Sequence, residues 1–202
     1  SIPAYPSVLL GAVEISPMQV NQIYQTIAGN GFYSPLSIVR QVTKANGQLL
    51  SIFPLIVRQA ASNDAVYLLQ HEMRLVANEG TARGVYRFLP KQQKVAAKTG
   101  TTNDQRDSWF AGFSGQHVAT VWLGREDLKP TPLTGASGAL NVWGQLMQHL
   151  SYTPYEDIKP ETVGYYYVNR ATGAVIPNGC PDGIDLPMVN ATAPPINTNC
   201  GY

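Results

Sequence analysis

The chain has 202 residues, 44% of them hydrophobic and 13% charged, enough to bury one sizeable core with a small appendage and too apolar for a disordered tail. Fourteen basic against thirteen acidic residues leave a net charge of +1, and no basic cluster could follow a phosphate backbone, which argues against nucleic acid as a partner. No apolar stretch approaches the roughly eighteen residues that span a bilayer. The start, Ser1-Ile2-Pro3-Ala4-Tyr5-Pro6, has neither the charged nor the apolar region of a signal peptide, so any membrane anchor is expected upstream, in a protein of which this chain is a later part.

Ser16-Pro17 is a helix start, a capping hydroxyl followed by proline at the first helical position, and Val20, Ile23, Tyr24 and Ile27 recur at helical spacing until Gly29. From Leu36 to Phe53 the texture turns β-branched around Asn46-Gly47, the usual pair for a two-residue hairpin turn. Ser62-Asn63-Asp64 then caps a second helix, whose stripe Ala65, Val66, Leu69, Met73, Val76 is expected to face inward before Gly80 ends it. Three short runs follow, Lys94 to Thr99, Ser108 to Phe113 and Val118 to Gly124, joined by Asn-Asp and Ser-Gly turns. They predict an antiparallel meander, which needs only short loops. After a Pro130-Thr131-Pro132 linker, Gly135 to Leu150 predicts a helix with Leu140, Val142, Trp143, Leu146, Met147 and Leu150 on its apolar side. Helices beside an antiparallel meander give an α+β fold.

Beyond Pro154 the composition shifts towards Pro, Asn, Gly and Tyr, which divides the chain into a main part, residues 1–153, and a small β and loop tail, residues 154–202. Gly164 to Asn169, a turn at Arg170-Ala171-Thr172-Gly173, and Ala174 to Ile176 predict one more hairpin there, and the tail is expected to cap the main part. Both cysteines, Cys180 and Cys200, lie in it. Pairing would close a loop of about twenty residues, worth ~3 kcal/mol in the chain-entropy model, and would indicate an oxidising compartment; the alternative is two free thiols.

The local signature that carries chemistry is Lys98-Thr99-Gly100-Thr101-Thr102, closing the run Val95-Ala96-Ala97 and preceding a polar turn at Asn103-Asp104-Gln105-Arg106. A strand bordering a groove offers outward backbone N–H groups and alternate side chains to an extended ligand. Here the ammonium supplies positive charge, the hydroxyls can donate to a carboxylate, and Gly100 allows close approach. Those parts suit a substrate that ends in a free carboxylate.

The triplet resembles the third motif of the penicillin-recognising serine acyl enzymes. With it stand, in order, Leu10-Gly11-Ala12 and Ser16-Pro17-Met18, Glu79-Gly80-Thr81-Ala82-Arg83, Asp107-Ser108-Trp109-Phe110-Ala111-Gly112-Phe113, Val121-Trp122-Leu123-Gly124-Arg125 and Gly135-Ala136-Ser137-Gly138-Ala139. The ordered set resembles class A penicillin-binding proteins over about residues 5 to 150, most nearly the 1b-like bifunctional type of Gram-negative bacteria, and the tail resembles them only weakly. No serine has a lysine three positions on, and no Ser-x-Asn triplet occurs.

The resemblance therefore implies the later part of a transpeptidase domain of the serine β-lactamase/transpeptidase fold, incomplete here. Its nucleophile, and any glycosyltransferase domain, would lie upstream. The resemblance further implies that peptidoglycan stem peptides and β-lactams are the ligands and that the protein works at the periplasmic face of the inner membrane, with periplasmic regulatory or divisome proteins as partners. Lys98, Thr99 and Thr101 would hold a carboxylate, the Thr101 N–H would form half of an oxyanion hole, Gly100 would permit approach, and Thr102 would support the strand. The rival reading is a non-catalytic cell-wall or partner-binding module that keeps the groove without the chemistry.

Other constellations are weaker. His71-Glu72 begins like a zinc-protease helix, but Leu75 stands where the second histidine should be, so neither a metal nor another cofactor is expected. Trp109, Phe110, Phe113 and Trp122 could stack on sugars but read as core. Tyr165-Tyr166-Tyr167 on a strand face alternate sides. Gly135-Ala136-Ser137-Gly138 lacks the Lys-Ser/Thr of a P-loop and reads as a helix entry.

Overall fold

The computed structural model describes residues 5–150, 153 and 155–200; residues 1–4 and Pro154, read above for a signal peptide and for the change of composition, lie outside the described residues. Helix α1 (Pro17–Ala28) starts where the capping pair predicts. Gln19 N–H donates to Ser16 Oγ at 3.2 Å and Ser16 N–H donates to Gln19 Oε1 at 2.9 Å, a reciprocal box that satisfies two orphan donors. Tyr24, Ile27 and Ala28 pack towards the core, whereas Ile23 is exposed.

An apolar excursion follows, built of β1 (Phe32–Tyr33), β2 (Gln41–Thr43), β3 (Leu49–Ile52) and β4 (Arg58–Gln59), with β1 antiparallel to β4 and β2 antiparallel to β3. The expected hairpin is present, but its turn is not the two-residue Asn46-Gly47 type. Gly47 N–H donates to Lys44 O at 2.9 Å and Lys44 N–H to Gln48 O at 2.8 Å, which centres the turn on Ala45-Asn46. Gly47 takes the left-handed position after it, at φ +85°, where a Cβ would be strained.

Helix α2 (Asn63–Asn78) is capped by Ser62, whose Oγ accepts from Ala65 N–H. Its buried residues are Val66, Tyr67, Gln70, Met73, Arg74 and Ala77. The predicted stripe is therefore rotated: Ala65 and Leu69 are exposed, and two polar side chains take buried places because distant partners satisfy them. Gln70 Nε2 donates to Ile27 O at 2.6 Å and Gln70 Oε1 accepts from Tyr155 O–H, while Arg74 pairs with Asp157.

The centre is the meander β5 (Ala96–Thr101), β6 (Asp107–Ser114), β7 (His117–Gly124), in sheet order β5-β6-β7. On one face Val95, Ala97, Phe110 and Val121 pack with Ala77, Val85 and the helix α3 (Ala139–Gln148), through Leu140, Trp143 and Met147. On the other, Ala96, Phe113 and Val118 meet Tyr24, Ile27, Met73 and Tyr155. Helices thus cover both faces, the α+β layering expected.

Helix α3 differs from its predicted face. Val142 and Leu146 are exposed, as is Leu150 beyond the helix end, and the inward side carries Gly144, where Phe88 comes so close that a Cβ would lie 2.3 Å from its ring. Glycine there admits that contact on the inward side. Residues 130–132 are no free linker either: Thr131 N–H and its hydroxyl both donate to Gln105 O at 2.8 Å.

In the tail, β8 (Val163–Asn169) pairs along its length with β9 (Gly183–Val189), and residues 174–176 keep only the bridge Val168↔Val175. The predicted hairpin partner is thus displaced. Asn190 N–H donating to Thr162 O sets the register so that Pro187, opposite Tyr165, falls at a position whose N–H would face away from β8. The tail packs on β6 through Tyr155 against Phe113, and on α2 through Asp157 with Arg74 and Tyr165 Oη 2.9 Å from Tyr67 Oη. Cys180 and Cys200 are disulfide-bonded, their Cα atoms 5.5 Å apart.

Candidate active-site groove

Strand β5 leaves the core as it reaches its motif: Val95, Ala96 and Ala97 are fully buried, and Lys98 is exposed. It pairs with β6 on one side, and its other edge is unpaired among the described residues. Thr102 N–H donates to Asp107 O at 3.3 Å, so the alternation of an antiparallel ladder directs the backbone groups of Lys98 and Gly100 to β6 and those of Thr99 and Thr101 to the open edge. An extended ligand can add itself there.

The side chains are already oriented. Thr101 Oγ1 accepts from Gly135 N–H at 2.9 Å, which leaves the hydroxyl proton for another acceptor. Thr99 Oγ1 lies 2.7 Å from Thr81 Oγ1, and Lys98 Nζ donates to Thr99 O at 2.8 Å. Thr102 Oγ1 donates to Asp107 Oδ2 and accepts from Asp107 N–H, both at 2.9 Å, so it is tied to the turn below the strand.

Two glycines make these approaches. A Cβ on Gly100 would sit 3.0 Å from that of Trp109, and one on Gly135 would lie 2.6 Å from Trp109 O and 2.7 Å from Gly100 O. The helix entry at residues 135–138 therefore rests directly on the motif strand. Ser108 secures it, donating to Thr134 O at 2.7 Å and accepting from Ala139 N–H at 2.9 Å.

A groove of about 960 Å³ runs along this strand, between the segment from Gly11 to Val20, with Tyr24, and a floor that includes Lys98, Gly100, Trp109, Ala111 and Trp122. Phe110 and Phe113 are core, as the sequence predicts, but Trp109 and Trp122 are not. They form a cross-strand pair on the groove face, with centroids 6.2 Å apart, and Trp122 Nε1 donates to Asp107 Oδ1 at 2.8 Å. Burial pushes the Tyr24 phenol up to about 12, so it stays a neutral donor at physiological pH. Among the described residues no three His, Cys, Asp or Glu side chains lie where they could share a metal ion.

A family description of the penicillin binding protein transpeptidase domain matches residues 5–125. The chain belongs to the penicillin-binding protein transpeptidase family. It is 39% identical over 186 residues to penicillin-binding protein 1B of Vibrio cholerae, covering 91% of this chain and 23% of the relative. It is also 39% identical over 159 residues to penicillin-binding protein 1B of Escherichia coli, covering 78% and 19%. The chain thus spans about a quarter or less of these relatives. In fold it is similar to penicillin-binding protein 1A of Haemophilus influenzae, at TM-score 0.86 and 21% identity, over 96% of this chain and 35% of that one. It is also similar to the PonA1 protein of Mycobacterium tuberculosis solved with penicillin V, at TM-score 0.63 and 23% identity, over 76% of this chain and 44% of that one. The resemblance to class A proteins and the transpeptidase fold both hold.

All five motif residues, Lys98 to Thr102, line one groove. The sequence reading gave no site role to Thr81 or Asp107, and it placed Trp109 and Trp122 in the core and Gly135 in a helix entry. Thr81 and Gly135 stand inside segments it singled out, but only the fold shows them touching Thr99 and Thr101.

Proposed function

We propose that this chain forms the groove wall of a serine-type D-Ala-D-Ala transpeptidase that cross-links peptidoglycan and is acylated by β-lactams. The observation that carries it is the unpaired edge of β5, where backbone groups and threonine hydroxyls converge beside a lysine. A serine Oγ supplied upstream attacks the penultimate D-Ala carbonyl and the C–N bond to the terminal D-Ala breaks. D-Ala leaves as the protonated amine, and the acyl group passes to an amine of a neighbouring stem.

Lys98, Thr99 and Thr101 hold the substrate carboxylate. The Thr101 N–H, on the open edge, donates to the developing oxyanion, a contact worth ~3 kcal/mol when lost; the nucleophile's own N–H is the other donor. On the likeness to class A proteins we place a glycosyltransferase domain and a membrane anchor upstream; no helix among the described residues is long and apolar enough to cross a membrane. The protein then works at the periplasmic face of the inner membrane.

Incubation of the native gene product with a fluorescent penicillin, followed by a denaturing gel and intact mass of every band, tests this. Label on a band carrying the upstream serine is expected. No label on any band would contradict the acyl-enzyme reading and leave a non-catalytic cell-wall module.

A further inference from the structure

The segment Glu79-Gly80-Thr81-Ala82-Arg83 precedes the motif strand in sequence and meets it in space. Ala82 is fully buried in the core beside Ala77 and Val85, which plants the segment at the end of α2. Thr81, on one side of it, shares its hydroxyl hydrogen bond with Thr99. Arg83, on the other, opens the short 3-10 turn Arg83–Arg87.

A second pocket, of about 690 Å³, lies here against the α3 side of the sheet, lined by Thr81, Arg83, Gly84, Arg87, Ala136 and Leu140. Its charge is unbalanced. Arg87 Nε donates to Gly84 O at 3.1 Å and Nη2 to Asn141 Oδ1 at 3.0 Å, neutral partners that hold the guanidinium without compensating it. The Arg83 guanidinium has no hydrogen bond or ion pair among the described residues. Glu79 also lines the pocket, but its carboxylate faces Arg170 at 3.5 Å.

The strand's own geometry makes a second cation useful. Side chains alternate across a strand, so Lys98 stands on the face opposite Thr99 and Thr101, and its ammonium is turned to Thr99 O. A carboxylate held by Lys98 and the two hydroxyls thus has its ammonium on one face of the strand and a place for a second cation on the other. Arg83 stands two residues beyond Thr81, whose hydroxyl meets that of Thr99, and lines the same pocket as Thr81. Guanidinium matches carboxylate in geometry, and the Arg83 side chain is exposed and accessible to a ligand.

We propose that Arg83, which lines the second pocket and not the groove itself, is a substrate-binding residue, the counter-ion on the threonine side for the carboxylate of a ligand lying along β5. This rests on the transpeptidase reading. The test measures acylation of the native gene product by a penicillin and by its methyl ester, in wild type, Arg83→Gln and Arg83→Lys, each checked for an unchanged melting temperature.

The expected result is an about tenfold fall in the second-order rate with the acid in Arg83→Gln, through weaker half-saturation rather than a lower maximal rate. Arg83→Lys should be intermediate and the ester should react with all three alike. Added salt should slow the acid reaction of the wild type more than that of Arg83→Gln. Equal slowing of acid and ester, or no slowing of either, overturns the proposal. A wild-type protein that takes up no penicillin overturns the transpeptidase reading itself, before any variant is compared.

Discussion

The central meander and the excursion over residues 32–59 are both β-structured and both rich in apolar side chains, yet they use them oppositely. In the meander Phe110, Val95 and Ala97 have no exposed surface; in the excursion Ile38 is 100% exposed, Leu55 79% and Ile52 63%. The difference is in what lies on each side. The meander is covered by α1 on one face and α3 on the other, whereas among the described residues β2 and β3 pair only with each other. Apolar β texture specifies strands; the neighbouring layers decide whether they become core.

The largest effect separating the two regions is expected at Trp143, fully buried, with its ring 5.1 Å from Phe110 and its Nε1 donating to Ala119 O. Trp143→Ala should cost about 3–5 kcal/mol, measured by denaturant unfolding. A loss under 1 kcal/mol would show that α3 is not integral to the core.

A smaller effect is expected where α2 meets the tail. His71 Nδ1 is buried with no hydrogen bond among the described residues, the Glu72 carboxylate being 3.7 Å away, and burial, with Arg74, holds the imidazole below its ordinary range against the opposing pull of Glu72 and Asp157; the Tyr165 ring closes the other side. The unfolded chain then binds the proton first, so stability should fall as pH drops below about 6.5 towards the depressed folded value. Melting temperatures between pH 7.5 and 5 should show this slope in the wild type and a flatter one in His71→Gln. Identical slopes would remove His71 from the account.

The smallest change is expected in the excursion. Ile38→Ser and Leu55→Ser should alter stability by no more than about 0.5 kcal/mol while reducing self-association in light scattering, since exposed apolar surface is the liability there. A loss beyond 1 kcal/mol from either would mean that the excursion is packed, and the contrast with the meander would fail.

The same contrast explains what could be read from the sequence. The motif strand was legible because its chemistry is contiguous, Lys98 to Thr102, and the caps at Ser16 and Ser62 because their partners lie three residues on. The inward face of α2 was not: Gln70 and Arg74 are satisfied in their buried places by distant groups, Ile27 O some forty residues before Gln70, and Tyr155 and Asp157 more than eighty residues later. No local pattern announces such a pair. Strand β9 hid behind Pro187, harmless only in the register it adopts. In the site, Arg83 and Gly135 were visible as parts of familiar segments, but their places beside the motif depend on how α2 and α3 meet β5.

Lys98 gives the most direct test of whether β5 lines an acylation site. Lys98 is exposed, and among the described residues its side chain hydrogen-bonds only to the carbonyl of its neighbour, so Lys98→Ala in the native gene product should leave the melting temperature unchanged. The same variant should slow acylation by penicillin by about two orders of magnitude, followed by stopped-flow or gel-based labelling. An unchanged acylation rate in a folded Lys98→Ala protein would contradict the placement of the site on this strand.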